Sequence, residues 1–200
     1  MKARCTLGFA PHSGWAAVVA VGGTATHPRV LARERLEMSD AALAGSRQPY
    51  HAIEELPPGE AAERLAAFEA SAAALATEAI GVLVRTARTA GVEPRAAGIL
   101  DSSGRRGATL AAILASHALI HTADGQHFRE ALARGCAALA LPVTRIRARD
   151  LPAQAARALK RTPRSLAAAV AQLGRELPPP WGADQKSAAL LGWLLLARRS

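Results

Sequence analysis

The chain has few aromatic residues and few cysteines, and both scarcities exclude classes of function. Its 200 residues include only three Trp, one Tyr and three Phe, which argues against the wide base-stacking platform of a single-strand nucleic-acid binder. The two cysteines, Cys5 and Cys136, do not have a metal-ligand spacing. We predict that both are buried thiols, Cys5 in a strand and Cys136 in a helix, in a protein of the reducing cytosol.

The sequence also lacks a secretory leader pattern and an obvious membrane-spanning run. The first five residues (Met-Lys-Ala-Arg-Cys) lead directly into a strand pattern. The most apolar run near the C-terminus, 188–197, has about half of the length that a transmembrane helix needs. These features predict a cytoplasmic protein that does not interact with membranes.

Acidic residues are scarce in the last third of the chain. The formal net charge is +9. Residues 1–140 contain 14 basic and 13 acidic side chains, whereas residues 141–200 contain 11 basic and 3 acidic ones. A basic region of this kind attracts phosphate-bearing partners, nucleic acid among them. The alternative interpretation is a solvated surface of an Arg-rich protein that binds no polyanion.

The pattern of apolar residues predicts an α/β fold in one domain, residues 1–200. Strands are predicted at 3–9, 15–21, 30–38, 94–100 and 142–148. Helices are predicted at 60–90, 110–137 (in two pieces, broken near Gly125), 151–158, 164–176 and 184–198. Three consecutive strands with short connections form an antiparallel meander. The two later strands complete a mixed five-stranded sheet flanked by helices on both faces.

Three short segments resemble motifs of a nuclease superfamily. The segment Leu7-Gly-Phe-Ala-Pro-His-Ser-Gly14 is similar to a Gly-Ile-Asp-Pro-Gly-Ser turn, with Ala10 in the Asp position. Ile99-Leu-Asp101 ends the fourth predicted strand, and Asp184-Gln-Lys-Ser187 is similar to a final-helix pattern of two Asp three residues apart. In these segments and in the order of its elements, the chain resembles the RNase H-like superfamily, and in particular the RuvC-type resolvases. The resemblance implies a metal site at Ala10, Asp101, Asp184 and Ser187, of which only Asp101 and Asp184 are acids.

An incomplete set of acids bears directly on catalysis. Two-metal nucleases need several carboxylates that converge on paired cations roughly 3.5–4 Å apart. The resemblance therefore implies a domain that has lost nuclease chemistry, with a residual metal-dependent nuclease using Asp101 and Asp184 as the alternative. As ordinary structural residues, Asp101 would open a turn and Asp184 would lie in the first turn of a helix, where the helix dipole favours it.

The chain is also similar to a group of bacterial proteins without an assigned activity, and the likeness rests on three phrases. They are His12-Ser-Gly-Trp15, Arg47-Gln-Pro-Tyr-His51 and Ala115-Ser-His-Ala-Leu-Ile-His-Thr122. This likeness implies the fold and the choice of site. The pocket residues that it points to, with the neighbouring acid, are His12, Ser13, Trp15, Tyr50, His51, His117, His121 and Asp124.

His117 and His121 are the strongest candidates for metal ligands. They are four residues apart on a predicted helix and therefore share one face. Such a pair chelates Zn²⁺ when a third ligand arrives from elsewhere, and His12 or His51 could supply it. No Glu follows His117, so the zinc-protease signature is absent. Two alternatives stay open: histidines that only form hydrogen bonds, and a metal-free pocket of His12, His51 and His117 for acid–base chemistry or anion binding.

Two basic segments are candidate anion sites. Arg105 and Arg106 lie in a loop between a strand and a helix, where free backbone amides can bind phosphate, although the loop fits an ordinary solvent-exposed turn better. Arg145, Arg147 and Arg149 alternate along the fifth predicted strand, and they could form a basic strip with Lys160 and Arg161. The alternative role of these charges is to protect an exposed sheet edge.

Three functions remain open on the sequence alone. The first is a nucleic-acid or phosphate-ligand binding module on a degenerate nuclease scaffold. The second is an enzyme of another kind that uses His12, His51, His117 and His121, with or without a divalent metal. The third is a structural protein whose helices bind a protein partner or a second copy of the chain.

Overall fold

The computed structural model of the chain describes residues 3–102 and 107–198. Its strands are β1 (Ala3–Pro11), β2 (Trp15–Gly23), β3 (Pro28–Glu37), β4 (Val92–Asp101) and β5 (Val143–Arg147). Its helices are α1 (Pro49–Ala52), α2 (Pro58–Thr89), α3 (Leu110–Leu114), α4 (His117–Ala138), α5 (Leu151–Leu159), α6 (Pro163–Leu173) and α7 (Ala183–Arg198).

The five strands form one mixed sheet in the order β3-β2-β1-β4-β5. β1, β2 and β3 pair antiparallel, and β4 and β5 add in parallel on the other side of β1. The turn between β1 and β2 closes through the His12 amide, which donates to the Trp15 carbonyl at 2.8 Å. Gly14 has a φ of 84° there, a conformation that glycine adopts without strain. The predicted α/β architecture, with three antiparallel strands followed by two more, is confirmed.

Alternation along the strands separates two apolar cores. Leu7, Phe9 and Ile99 face the layer formed by α2 and α4. A separate small cluster joins Phe68 and Ala61 of α2 to Ile53. Ala10, Val19 and Ile146 belong to the opposite core, which α5, α6 and α7 cover. Side chains on one strand thus point to opposite faces at successive positions.

The helix α7 lies directly on β1 because two glycines remove the side chains between them. A Cβ on Gly8 would lie 2.0 Å from the carbonyl oxygen of Ala188, and one on Gly98 would lie 2.6 Å from the Leu191 side chain. The buried Thr6 hydroxyl donates to the Gly192 carbonyl at 2.6 Å. These contacts show that α7 runs antiparallel to β1, so the N-terminus of α7 lies at the C-terminal end of β1.

Two details of the helical segments differ from the sequence-based prediction. The helical region 110–137 is interrupted at Ala115 and Ser116 rather than near Gly125. Ser116 has an extended backbone (φ −143°, ψ 109°) at the N-cap of α4, a position that favours serine. Gly125 continues the helix, and the Arg129 guanidinium donates to its carbonyl at 2.5 Å. In addition, the segment between the predicted strand 30–38 and the predicted helix 60–90, to which the sequence assigned no element, contains the short helix α1.

One helix, Pro58–Thr89, is long and apolar enough to cross a membrane by length and composition alone. Core helices of globular proteins pass the same test. In this fold the buried residues of that helix pack against the sheet and α4.

Both cysteines are buried and unpaired, as predicted. Burial raises the pKa of the Cys5 thiol to about 11 and that of Cys136 to about 12. Neither thiol is therefore a nucleophile at neutral pH.

Candidate functional site

The edge of the sheet where β1, β4 and β5 end is called the C-terminal edge below; it includes Pro11, Asp101 and Arg147. Ala10 lies one residue before this edge, and its side chain is buried in the apolar core under α7. Its methyl group offers no oxygen to a cation. The position to which the sequence resemblance assigns a first carboxylate therefore carries a buried apolar side chain.

His12 is exposed in the turn that follows β1, and its side chain contacts the N-terminus of α7. Its Nε2 lies 3.0 Å from Asp184 Oδ1, and its ring stacks on Trp15 with centroids 4.3 Å apart. The Arg35 guanidinium lies 3.9 Å from the centroid of the same Trp15 ring. Asp184 is thus engaged by an imidazole held in place by stacking.

Asp101 points to the other face of the sheet. Its Oδ1 accepts a hydrogen bond from the Ser102 amide at 3.0 Å and lies 3.9 Å from Arg129 Nε of α4. Arg129 Nε also donates to the Leu100 carbonyl at 3.0 Å. Asp101 and Asp184 are therefore associated with α4 and α7, which cover opposite faces. Sequence reasoning missed Arg129, because an arginine at this helical position carries no motif.

A second polar site lies between α1 and the first turns of α4. Asp124 is buried, and its Oδ1 accepts the Tyr50 amide at 2.7 Å while its Oδ2 lies 2.5 Å from His51 Nδ1. Burial raises the pKa of Asp124, and the Tyr50 amide and His51 oppose that rise. Burial also raises the pKa of Tyr50. Asp124 thus connects α1 to α4 and orients the His51 ring.

His51, His117 and His121, called the histidine cluster below, converge beyond Asp124. One ring nitrogen from each lies within 4.8 Å of the other two. His117 Nε2 and His121 Nε2 are 3.0 Å apart, and the His51 ring lies edge-on to both, with centroids 5.5 and 4.6 Å away. Within the described ranges, this is the only group of at least three potential metal-ligating side chains with such spacing.

Comparison with known proteins identifies the fold. No protein-family model and no curated protein sequence matches the chain. Its structure is similar to that of Thermus thermophilus RuvC, with a TM-score of 0.54 and 18% identity over 98% of this chain and 95% of that one. It is also similar to T. thermophilus RuvC in complex with a Holliday junction substrate, with a TM-score of 0.53, 17% identity and the same coverage.

The chain has the RuvC-type, RNase H-like fold. This finding confirms the fold to which the sequence resemblance pointed. At this low sequence identity, the structural similarity establishes the fold and not the activity.

Within this RuvC-type fold, the predicted pocket residues form two sites rather than one. Tyr50, His51, His117, His121 and Asp124 lie together. His12 instead contacts Asp184 and Trp15, because the turn that carries it lies against the start of α7, and Ser13 is exposed in the same turn. A single cluster that includes His12 is therefore the wrong grouping.

The basic residues likewise do not form one strip on the RuvC-type fold. Arg145 donates to both carboxylate oxygens of Glu130 on α4, at 2.9 and 2.7 Å. Arg147 is exposed at the end of β5, whereas Arg149 lies beyond the strand, 3.7 Å from Asp150. Lys160 and Arg161 follow the nine-residue helix α5, which spans about 14 Å. The five residues are dispersed because Arg145 faces α4, whereas the Arg161 guanidinium lies 5.2 Å from the Trp193 ring of α7 on the other face.

Arg105 and Arg106 lie outside the described residues, so the anion site predicted in their loop stays a prediction.

A buried histidine was not recognised from the sequence. His127 borders a cavity of about 200 Å³ that Glu69, Glu130 and Arg134 also line. Its Nε2 has no hydrogen-bond partner within the described part of the chain. Burial lowers the pKa of His127 to about 4, with a smaller opposing contribution from Glu69. A histidine in a helix next to Phe128 carries no sequence signal that distinguishes it from a surface residue.

Proposed function

We propose that this RuvC-type domain binds nucleic acid at the C-terminal edge of its sheet and does not cleave it by two-metal catalysis. The observation that carries the proposal is the contact of His12 with Asp184, together with the buried methyl group of Ala10. If the sequence resemblance assigns the acid positions correctly, an apolar side chain replaces the first acid and an imidazole engages Asp184.

The remaining acids do not meet the requirement of two-metal chemistry. Paired cations about 3.5–4 Å apart need several carboxylates between them. Asp184 contacts His12, Asp101 lies beside Arg129, and the sequence resemblance assigns the fourth acid position to Ser187. Among the residues that the structure describes, this edge therefore offers Mg²⁺ no group of converging carboxylates.

Support for nucleic-acid binding comes from the fold and from the charge. The chain superposes on nearly the whole length of a RuvC that was solved with a Holliday junction substrate. Arg147 is exposed at the C-terminal edge, and Arg47 approaches the β1–β2 turn, since a Cβ on Gly14 would lie 3.3 Å from Arg47 Cγ. Neither arginine forms an ion pair with the residues that the structure describes. Free guanidinium groups of this kind bind phosphates without reading sequence.

Binding is tested with fluorescein-labelled four-way junction, duplex and single-stranded DNA by anisotropy across a salt series. We expect the wild-type affinity to fall steeply with salt, because bound phosphates release counterions. The double variant Arg47→Glu/Arg147→Glu should bind several-fold more weakly at low salt. Its log–log salt slope should be smaller by about 1 for each phosphate contact that is lost.

The matched control is Arg85→Glu/Arg95→Glu, which makes the same change in charge at exposed arginines. Arg95 is six residues before Asp101 on β4, about 20 Å from the C-terminal edge, and Arg85 lies on α2. Equal losses in both double variants would show only a general charge effect. Undetectable binding of all three DNA forms by the wild type would overturn the binding proposal.

Cleavage is tested separately with supercoiled plasmid and the same junction, in the presence of Mg²⁺ or Mn²⁺. We expect no strand scission above a buffer control. Metal-dependent scission that is abolished by Asp184→Asn would contradict the proposed loss of nuclease activity and would leave the binding result intact.

A further inference from the structure

We propose that the histidine cluster is a binding site for one divalent transition-metal ion, with Zn²⁺ as its best-fitting occupant. His51, His117 and His121 would be the three protein ligands, and Asp124 would position His51. The three ligands differ from the residues proposed to bind nucleic acid, and the proposal does not depend on nucleic-acid binding.

The spacing of the ring nitrogens fits the ion. Tetrahedral Zn²⁺ with Zn–N bonds of 2.0–2.1 Å places its ligand nitrogens about 3.3 Å apart. His117 and His121 provide nitrogens 3.0 Å apart from successive turns of α4, and the third nitrogen lies within 4.8 Å of both. His117 and His121 are exposed, so their side chains are free to rotate, and the proposal requires only that the three nitrogens close from at most 4.8 Å to about 3.3 Å.

Asp124 prepares His51 for coordination. The carboxylate lies 2.5 Å from His51 Nδ1, which places the proton on Nδ1 and leaves the Nε2 lone pair for a metal. Metal-binding histidines commonly donate their other N–H to a carboxylate in this way, which fixes the tautomer and raises the basicity of the ligand nitrogen. Asp124 is itself fixed by the Tyr50 amide at 2.7 Å. The hydrogen bond between Asp124 and the Tyr50 amide forms without any ligand. The contact between Asp124 and His51 makes His51 the most preorganised of the three histidines.

The donor set selects the class of ion. Three imidazoles without a converging carboxylate suit Zn²⁺ and its transition-metal neighbours, whereas Mg²⁺ and Ca²⁺ require oxygen ligands. Three protein ligands leave the fourth tetrahedral position for water or another small ligand. An open groove lined by Ser39, Arg47, Gln48 and His51 reaches the cluster, so solvent and small anions have access to that position.

The test uses the full chain, freed of metal by chelation and dialysis, and measures Zn²⁺ binding by competition with a chromophoric chelator. We expect one Zn²⁺ per chain. His117→Ala/His121→Ala should abolish this binding, and Asp124→Asn should weaken it by about 10- to 100-fold. Co²⁺ in place of Zn²⁺ should give the intense visible absorption of a tetrahedral site, and the double alanine variant should not.

His27→Ala is the control, because it removes an exposed histidine that belongs neither to the cluster nor to the C-terminal edge. Circular dichroism establishes that each variant is folded. Because His117 and His121 are exposed, their replacement tests metal binding without altering the buried Asp124. Zn²⁺ binding by the His117→Ala/His121→Ala variant that equals the wild type would overturn the proposal. So would a wild-type chain that binds no Zn²⁺, which would leave the cluster a set of hydrogen-bonded side chains.

Discussion

At the level of single residues, each polar site combines side chains from elements that are distant in sequence: His12 meets Asp184 of α7, and His51 of α1 meets His117 and His121 of α4. The absence of an acid at Ala10 follows from the β1 turn motif alone. The partners of His12 and Asp101 could not be predicted, because they come from α7 and α4, which are distant in sequence. His117 and His121 were recognisable as a pair from their spacing on one helix. The approach of His51 to them depends on the α1–α4 packing, which no local pattern encodes.

The buried His127 gives a residue-level prediction about acid stability. Its pKa is about 4 in the folded protein and 6.5 in the unfolded chain. Between these values the unfolded chain binds the additional proton, so stability is complete above pH 6.5 and falls as the pH drops toward 4. The difference corresponds to a loss of about 3 kcal/mol. His127→Leu should remove this part of the pH dependence, measured by urea unfolding at several pH values.

Carboxylates also titrate in this range, so the difference between variant and wild type is the informative quantity. His27→Leu is the matched control, since His27 is exposed and should leave the pH profile unchanged. Parallel pH profiles for His127→Leu and wild type would show that His127 does not titrate with a lowered pKa.

At the level of elements, the strands and long helices followed from apolar periodicity, while the interruption near α4 did not. Gly125 was the conspicuous helix breaker in the sequence, but α4 continues through it because the flanking residues, among them Ala123 and Phe128, are buried along a continuous face. Ser116 is a favoured N-cap residue and was the better signal. Packing thus outweighs the intrinsic cost of a glycine within a helix, about 1 kcal/mol.

The contact between α7 and β1 gives an element-level prediction. Gly8→Ala places a Cβ 2.0 Å from the Ala188 carbonyl oxygen and 2.9 Å from the Gly192 amide nitrogen. Both atoms are backbone, so the clash is relieved only by moving the helix away from the sheet. We expect a loss of about 3 kcal/mol or more in the free energy of unfolding, measured by urea denaturation.

Gly59→Ala serves as the control in the same experiment. A Cβ at Gly59, in the first turn of α2, has no atom within 4 Å. This change should be neutral or stabilising by about 0.5 kcal/mol. If Gly8→Ala is as stable as Gly59→Ala, then α7 does not lie as close to β1 as the structure places it.

At the level of the whole molecule, the order of elements predicted the mixed sheet. The distribution of charge along the sequence did not predict where the basic residues lie on the surface of the fold. Arg145 and Arg161 are close in sequence, yet they lie on opposite faces because β5 and α5 separate the two layers. The same division separates Asp101 from Asp184. A count of charged residues along the chain therefore predicts attraction to polyanions, whereas the position of a binding surface requires the topology.

The two polar sites predict that Zn²⁺ raises the Tm of the protein and that Mg²⁺ does not. A ligand that binds only the native state raises its stability by RT ln(1 + [L]/Kd), about 2.7 kcal/mol when the ligand is at 100 times its Kd. For a chain of this size, that amount corresponds to a rise in Tm of roughly 5–10 °C. Zn²⁺ should produce such a rise through the histidine cluster, and His117→Ala/His121→Ala should eliminate it.

Millimolar Mg²⁺ should leave Tm unchanged relative to a salt of equal ionic strength, because Asp101 and Asp184 belong to no converging group among the described residues. Scanning calorimetry of the wild type, the double variant and Asp184→Asn separates the two sites. A rise in Tm that is specific to Mg²⁺ and lost in Asp184→Asn would show that the C-terminal edge binds a cation despite the His12 contact.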